Sequence, residues 1–402
     1  MSLLDIIGPV MIGPSSSHTA GAVRIGMMAR RLWGWERPLR SAKLFLRGSF
    51  AATYWGHGTD RGLVAGLLRM QPDDLRIPRS FEVARAEGLD FSFDTEEIDG
   101  AHPNSVRVVM SDGAEQCEAV GASIGGGAVE LRAVDGFPMV VPFGQPVLIV
   151  MHRDQPGIVS AITGEFYRLG LNVARMEMER RVRGGMAVFV FVLDGARRSG
   201  RADPDDRSRL PARDSAEKRR GRSFRMRALE ELIARAGERG SLPEAILAMD
   251  AEEQMIDTAL LRSRLRARLK VLRETVDAAL AGHWQPKLIG DDKDKYAALR
   301  RAPMSGELVW RASEIAVALG TCNASMGRIV AAPTAGSCGI LPGLLFAWQE
   351  ARHGGDEKLL EGLIVAAAVG EIVSQRATLA VCLQPSEELP MTEQPSALKR
   401  TS

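Results

Sequence analysis

The most informative stretch of the sequence reads Gly13-Pro14-Ser15-Ser16-Ser17-His18-Thr19-Ala20-Gly21. It is a polar loop directly ahead of a segment, Ala20 to Leu32, whose apolar residues recur with helical spacing. A helix N-terminus offers free backbone N–H groups and partial positive charge. Hydroxyls and an imidazole beside such a terminus predict a site for a carboxylate or a phosphate. A simple N-cap is the alternative interpretation, because one serine suffices to cap a helix.

A second loop of this kind, Gly56-His57-Gly58-Thr59-Asp60, precedes the helical pattern that ends near Met70. Glycines on both sides of His57 let the backbone approach a ligand closely. Asp60 would orient or charge-stabilise the imidazole, an arrangement suited to acid–base catalysis. The alternative is a cap by Thr59 beside an incidental histidine.

Three further loops are candidates for ligand contact. In His102-Pro103-Asn104 the proline fixes a turn, and either polar side chain could reach a ligand. The loop Ser123-Ile124-Gly125-Gly126-Gly127 allows close approach but lacks the G-x-G-x-x-G spacing of dinucleotide sites. The loop from Pro333 to Gly339 could cradle an anion, and its Cys338 has no second cysteine at a zinc-like spacing. Structural turns are the alternative for all three.

The hydrophobic pattern divides the chain into five parts. Residues 1–143 mix strand and helix patterns, as in an α/β or α+β domain with a strand at Ser41–Ser49. Residues 144–195 read β-α-β-β. Residues 196–225 are rich in arginine and almost free of apolar side chains, which predicts a flexible basic linker. Residues 226–380 are mostly helical, with one pattern running from Ala251 to Ala281, and residues 381–402 read as a disordered tail.

Composition excludes several classes of protein. The 402 residues are 45% hydrophobic and 25% charged, with a formal net charge of +2. A dedicated nucleic-acid binder would carry a strong basic excess. Four cysteines do not make a disulfide framework, so we expect a cytoplasmic protein. No apolar run is long enough to cross a membrane, so we expect no membrane partner.

These motifs together resemble those of the iron–sulfur L-serine dehydratases. The loops at residues 8–19, 57–60, 102–104 and 123–127 resemble the family's β-chain domain, and the β-α-β-β unit resembles the ACT-type regulatory module. Asn323-Ala324-Ser325-Met326-Gly327 and the loop from Ala332 to Gly339 resemble the catalytic α chain. The resemblance therefore implies a single-chain β+α fusion with three units: an α/β (α+β) domain, a small ACT-like unit and a mostly helical C-terminal domain.

The resemblance implies dehydration and deamination of L-serine to pyruvate and ammonia, with a [4Fe–4S] cluster as Lewis acid for the leaving hydroxyl. It also implies a homo-oligomer and an amino-acid effector at the ACT-like unit. The catalytic candidates are His18, His57 and Asp60. The candidates for substrate binding are Ser15, Ser16, Ser17, Thr19, Gly58, Thr59, His102, Asn104, Thr334, Gly336 and Ser337.

The sequence departs from the family where the cluster ligands are expected. The family's Gly-Cys-Gln motif and its later cysteine pair do not occur, and the match gives way after Ala380 to an unrelated tail. We expect a truncated α domain, assign no metal ligand and predict that this chain holds no cluster. The alternative function is an inactive remnant or an amino-acid-binding regulatory protein. A hydrolase using Ser17 and His18 is disfavoured, because adjacent residues of one loop rarely place a nucleophile and its base correctly and Ser17 does not lie in a G-x-S-x-G elbow.

Overall fold

The computed structural model describes residues 2–97, 101–125, 127–194, 232–234, 236–237, 240–254, 256–286 and 306–376. The predicted linker at 196–225 and the predicted tail at 381–402 lie outside the described residues. Within the described ranges, no helix is both long enough and apolar enough to cross a membrane.

The first domain is built on a six-stranded sheet in the order β3-β2-β4-β5-β6-β7. Strands β2 and β3 pair in parallel and the other neighbours are antiparallel. After a separate short strand β1 (Val10–Ile12), the strands are β2 (Ser41–Arg47), β3 (Asp90–Thr95), β4 (Ser105–Ser111), β5 (Gln116–Gly125), β6 (Ala128–Val134) and β7 (Phe137–Pro142). The period of two in β2 buries Ala42, Leu44 and Leu46 in the core. The α+β prediction is confirmed.

The predicted strand at Ser41–Ser49 is two residues too long. It ends at Arg47, and Gly48, with a φ of +50°, turns the backbone directly into a helix that the sequence analysis missed. The helices of this domain are α1 (Leu3–Ile6), α2 (Gly21–Trp33), α3 (Gly48–His57), α4 (Thr59–Leu67) and α5 (Ser80–Ala86). Helix α2 is preceded by a π-helical turn, Ser16–Ala20.

Helices α2 and α4 contact each other backbone to backbone. A Cβ atom built on Gly66 would lie 2.1 Å from the carbonyl oxygen of Val23, and one on Gly26 would lie 2.3 Å from that of Leu63. Glycine is required at both positions, because any side chain would push the helices apart. This close crossing brings the N-terminal ends of α2 and α4 together, and both candidate histidines lie just before those ends.

The β-α-β-β prediction for the second unit is confirmed. The elements are β8 (Val147–Arg153), α6 (Ile158–Arg168), β9 (Val173–Arg180) and β10 (Met186–Leu193), with sheet order β8-β10-β9. Phe166 of α6 packs on Phe189 and Phe191 on one face of the sheet. On the other face, Val188 and Val190 join the core of the first domain. The unit is therefore docked on that domain through its sheet.

The C-terminal part is helical, as predicted. It consists of α7 (Leu242–Gln254), α8 (Thr258–Ala281), α9 (Glu307–Ala324), a short strand β11 (Arg328–Val330), α10 (Ile340–Arg352) and α11 (Asp356–Arg376). The prediction of one helical pattern from Ala251 to Ala281 is wrong. Asp257 starts a new helix there, because its carboxylate accepts hydrogen bonds from the N–H groups of Ala259 and Leu260.

The first and last domains are joined by a two-stranded antiparallel sheet. Strand β1 pairs with β11, placing Val10 opposite Val330 and Ile12 opposite Arg328. The start of the chain is also tied to α7, because the buried carboxylate of Asp250 accepts from the Ser2 hydroxyl (3.0 Å) and the Leu3 N–H (3.2 Å). The loops on either side of β1 and β11 are thereby held against each other.

Candidate active site

The polar loop ahead of α2 holds its own shape through Ser15 and Thr19. The Ser15 hydroxyl accepts from the His18 N–H at 3.0 Å, and the Ser15 carbonyl accepts from the Thr19 N–H at 2.9 Å. Thr19 is fully buried and donates its hydroxyl to the carbonyl of His57 at 2.6 Å. These two hydroxyls therefore position the loop. Ser16 is also buried. The Ser17 hydroxyl lies 3.0 Å from His18 Nδ1, and the Ser15 hydroxyl lies 3.4 Å from the same nitrogen.

His18 is held at both ring nitrogens. Its Nδ1 lies 3.0 Å from Ser17 Oγ, and its Nε2 lies 2.9 Å from Ser49 Oγ at the start of α3. The ring of Phe50 packs at 5.3 Å from the imidazole. Burial, and then the neighbouring His57, lower the pKa of His18 to about 4. The imidazole is therefore neutral at physiological pH.

His57 lies beside His18, with ring centroids 4.8 Å apart. It ends α3, and Gly58, with a φ of +65°, reverses the chain into α4. His57 therefore lies against the Ser15–Thr19 loop, through its ring beside His18 and its carbonyl bonded to Thr19. Its Nδ1 is buried with no hydrogen-bond partner among the described residues, and burial lowers its pKa. The two rings therefore differ, because both ring nitrogens of His18 have a hydroxyl partner and His57 Nδ1 has none in the described structure.

Asp60 lies in the first turn of α4, where its carboxylate accepts from the Arg61 N–H. Its support of His57 stays a prediction, and burial is the cause that lowers the His57 pKa. Thr59, next to it, is fully buried, and its hydroxyl has no partner in the described structure.

The loop of His102 and Asn104 packs behind the start of α3. A Cβ on Gly48 would lie 2.8 Å from Pro103, and the Phe50 N–H donates to the Pro103 carbonyl at 3.4 Å. His102 Nδ1 accepts from the Asn104 N–H at 3.1 Å, and burial lowers the His102 pKa. These residues adjoin the segment that carries Ser49. The described contacts do not connect them directly to the imidazole pair.

The C-terminal domain closes one side of the site through the turn at residues 323–327. The Gly13 N–H donates to the Gly327 carbonyl at 3.3 Å. The side chain of Met326 fills the space beside two glycines, since Cβ atoms on Gly13 and Gly58 would lie 3.0 Å and 2.9 Å from it. Met326 itself has a φ of +62°, so the turn is fixed in an unusual backbone conformation.

The predicted anion loop at Thr334, Gly336 and Ser337 contacts this turn, and in the described structure it has no direct contact with the histidine pair. The Ser337 hydroxyl bonds within its own loop, to the Ala332 carbonyl at 2.8 Å and to Thr334 Oγ1 at 3.0 Å. The loop is tied to the turn by the Asn323 amide, which donates to the Ala335 carbonyl at 2.9 Å. Space is open beside Gly336. In the described structure, Asn323 therefore lies between this loop and the rest of the 323–327 turn.

Two residues of the site were missed by the sequence analysis. Ser49 holds His18 Nε2, and Met326 contacts both glycine turns. Ser49 follows Gly48 at a helix start, the same signal that singled out the other loops. Met326 lies inside a motif that the sequence analysis did quote. Its role depends on the pairing of β1 with β11, which no local pattern reveals.

The described thiols do not fit a cluster held by three cysteines. Cys322 and Cys338 are buried neighbours in the C-terminal domain, whereas Cys117 is on β5. Burial raises the pKa of each to about 12, which disfavours the thiolate form that binds metal. Within the part of the chain that the structure describes, no three His, Cys, Asp or Glu side chains cluster as metal ligands would.

Comparison with family profiles gives three matches along the chain. The serine dehydratase β-chain profile matches residues 2–86, the ACT domain profile matches residues 147–202, and the serine dehydratase α-chain profile matches residues 216–382. Both chain types of one enzyme family are therefore present in a single polypeptide.

Curated relatives agree with these matches. The chain is 42% identical over 193 residues to a protein of Bacillus subtilis named "Probable L-serine dehydratase, beta chain", a match covering 48% of this chain and 87% of that protein. It is 39% identical to the "L-serine dehydratase, beta chain" of Peptoniphilus asaccharolyticus, over 42% of this chain and 78% of that one. A Streptomyces coelicolor protein named "L-serine dehydratase" is 26% identical over 94% of this chain and 73% of its own length.

Proposed function

Because the chain belongs to the L-serine dehydratase family, we propose that its histidine pair serves the dehydration of L-serine to pyruvate and ammonia. The observation that carries the proposal is the 4.8 Å approach of His18 and His57, between two helix N-termini and beneath the 323–327 turn. The reaction makes the chain a carbon–nitrogen lyase. It removes the α-proton and the hydroxyl of serine, and the resulting enamine hydrolyses.

The loop ahead of α2 is the proposed seat of the substrate carboxylate. A helix N-terminus stabilises negative charge through its free N–H groups. Ser17 is the hydroxyl proposed to assist, because the Ser15 hydroxyl accepts from the His18 N–H and the Thr19 hydroxyl donates to the His57 carbonyl. The Ser17 hydroxyl bonds only to the side chains of Ser15 and His18, which it can exchange for the substrate. Binding there holds the α-carbon of serine near the two imidazoles, and such positioning lowers the barrier to proton transfer.

His57 is the proposed acceptor of the α-proton. A general base must be unprotonated at working pH, and burial keeps this imidazole neutral. His18 already bonds at both nitrogens, to Ser17 and Ser49, so it positions the neighbouring groups. The leaving hydroxyl also needs an acid. The described thiols do not supply the three ligands of an iron–sulfur cluster that could act as this acid.

We expect L-serine to protect this site from hydrogen exchange. Saturating L-serine should slow amide exchange in residues 13–20 and 57–60, because both segments contact the proposed binding position. Ser17→Ala should weaken L-serine binding about tenfold, since a hydrogen bond to a charged group contributes about 1.5 kcal/mol. Calorimetry measures the affinity, and Ser92→Ala, which changes an exposed serine on β3, is the control. Equal exchange with and without L-serine would contradict the proposal.

We also predict that the 402-residue chain, reconstituted anaerobically with iron and sulfide, does not assemble a [4Fe–4S] cluster. The reasons are that the family's cluster-ligand motifs do not occur in the sequence and that, of the three described thiols, Cys117 lies in a different domain from Cys322 and Cys338. Iron and sulfide analysis with visible absorbance measures the content. The prediction would be wrong if one cluster per chain gave a visible absorbance band that Cys338→Ala removes, and if the reconstituted protein also released pyruvate from L-serine.

A further inference from the structure

A cavity of about 270 Å³ lies between the first domain and the ACT-like unit. One wall comes from helix α2, with Met28, Arg31 and Leu32. The opposite walls come from β6, from the turn after β7 and from β8, and include Leu131, Phe143 and Ile149. The described residues of the histidine site do not line it. Its position is therefore at a junction of two domains, where ligand sites are common.

The lining combines apolar walls with one cation. Arg31 is exposed and lies over the rings of Trp35 and Phe143, at 5.5 Å and 6.0 Å from their centroids. Among the described residues, Arg31 has no acidic partner. A guanidinium held by aromatic rings and unpaired with an acid is suited to receive a carboxylate.

The lining contains no carboxylate that could balance an ammonium group. An amino acid would therefore bring its positive charge next to Arg31 without compensation. A carboxylic acid with an uncharged, branched apolar tail matches the cavity better, because its tail is buried against Met28, Leu32 and Leu131. The cavity volume of about 270 Å³ is just below the usual range of ligand pockets, which begins at about 300 Å³, so the ligand must be small.

We infer that this junction binds a small monocarboxylate with a branched apolar tail and no ammonium group, either a 2-oxo acid or a simple branched-chain acid. Such a ligand would bridge α2 and β8. The two domains are connected there by the turn at Gly144, which has a φ of +82° and open space around it. His18 lies in the π-helical turn directly ahead of the same helix α2. Occupancy of the cavity would thus fix the ACT-like unit against the helix that follows the candidate active site.

Calorimetry with 4-methyl-2-oxopentanoate, 4-methylpentanoate, L-leucine and isopentylamine tests the inference. We expect both acids to bind the full chain, L-leucine to bind at least fivefold more weakly, and the amine not to bind. The relative affinities of the two acids show whether the site prefers a 2-oxo acid or a simple branched-chain acid. Tighter binding of L-leucine, or binding of the amine, would overturn the inference, as would no binding of either acid at 10 mM, about a hundredfold above a 0.1 mM dissociation constant.

Two variants locate the binding. Arg31→Gln should weaken binding of the acids fivefold to tenfold, and Leu32→Trp should abolish it by filling the cavity. Arg79→Gln, which removes an exposed arginine outside the cavity lining, is the matched control and should leave the affinity unchanged. Hydrogen exchange should show ligand protection at residues 143–149 in the wild type. Unchanged affinity in both Arg31→Gln and Leu32→Trp would overturn the assignment of the site.

Discussion

Replacing Gly66 with alanine is expected to lower the free energy of unfolding by about 3 kcal/mol, because overpacked positions cost 1–3 kcal/mol or more when neighbours cannot move. The added Cβ would lie 2.1 Å from the Val23 carbonyl oxygen, 2.7 Å from the Met27 nitrogen and 2.8 Å from the Gly26 carbonyl carbon. All three are backbone atoms of α2, so no side-chain rotation relieves the contact. Chemical denaturation measures the loss.

Gly164→Ala is the matched control for this substitution. Gly164 lies inside helix α6, and a Cβ there would meet nothing within 4 Å. Alanine should stabilise that helix by about 0.5–1 kcal/mol, the usual difference in helix propensity. If the free energy of unfolding of the Gly66→Ala variant were within 1 kcal/mol of the wild-type value, the close crossing of α2 and α4 would be refuted. The crossing matters for function, because it sets the separation of the segments that carry His18 and His57.

Elements whose apolar residues recur with a regular spacing were predictable from the sequence. Elements that depend on contacts between distant parts of the chain were not. The alternation in Ser41–Arg47 and the β-α-β-β order of the second unit are local patterns, so both were found. Strand β1 is only three residues long and exists because it pairs with β11 at the other end of the sequence. Helix α3 was missed because it begins at Gly48 without a side-chain cap.

The candidate site shows the same division. His18 and His57 were found because each adjoins a helix start with glycines and hydroxyls, a signal that a single segment carries. The expected support of His57 by Asp60 stays a prediction; the left-handed turn at Gly58 lies between the two residues, and the Asp60 carboxylate accepts from the Arg61 N–H in α4. Contacts of Met326 with Gly13 and Gly58 depend on the domain packing. They could be read only from the structure.

His18 is expected to stay neutral down to about pH 4, far below the pKa of about 6.5 of a free imidazole. Burial is the larger cause, and the proximity of His57 is the second. NMR titration of the histidine ring signals measures this directly. His57→Gln should raise the pKa of His18 by removing the neighbouring imidazole, without restoring 6.5, because burial remains.

Because the pKa of His18 is lower in the folded chain than in the unfolded chain, the free energy of unfolding depends on pH. The unfolded chain protonates this imidazole below about pH 6.5, whereas the folded chain resists protonation until about pH 4. The free energy of unfolding should therefore fall as the pH decreases from 6.5 to 4, and His57, whose pKa is lowered in the same direction, adds to the fall. His18→Gln should flatten this part of the profile. A His18 signal that titrates near pH 6.5, or an unchanged profile in that variant, would mean that the imidazoles are solvated, and a solvated imidazole could not remain an unprotonated base in mildly acidic solution.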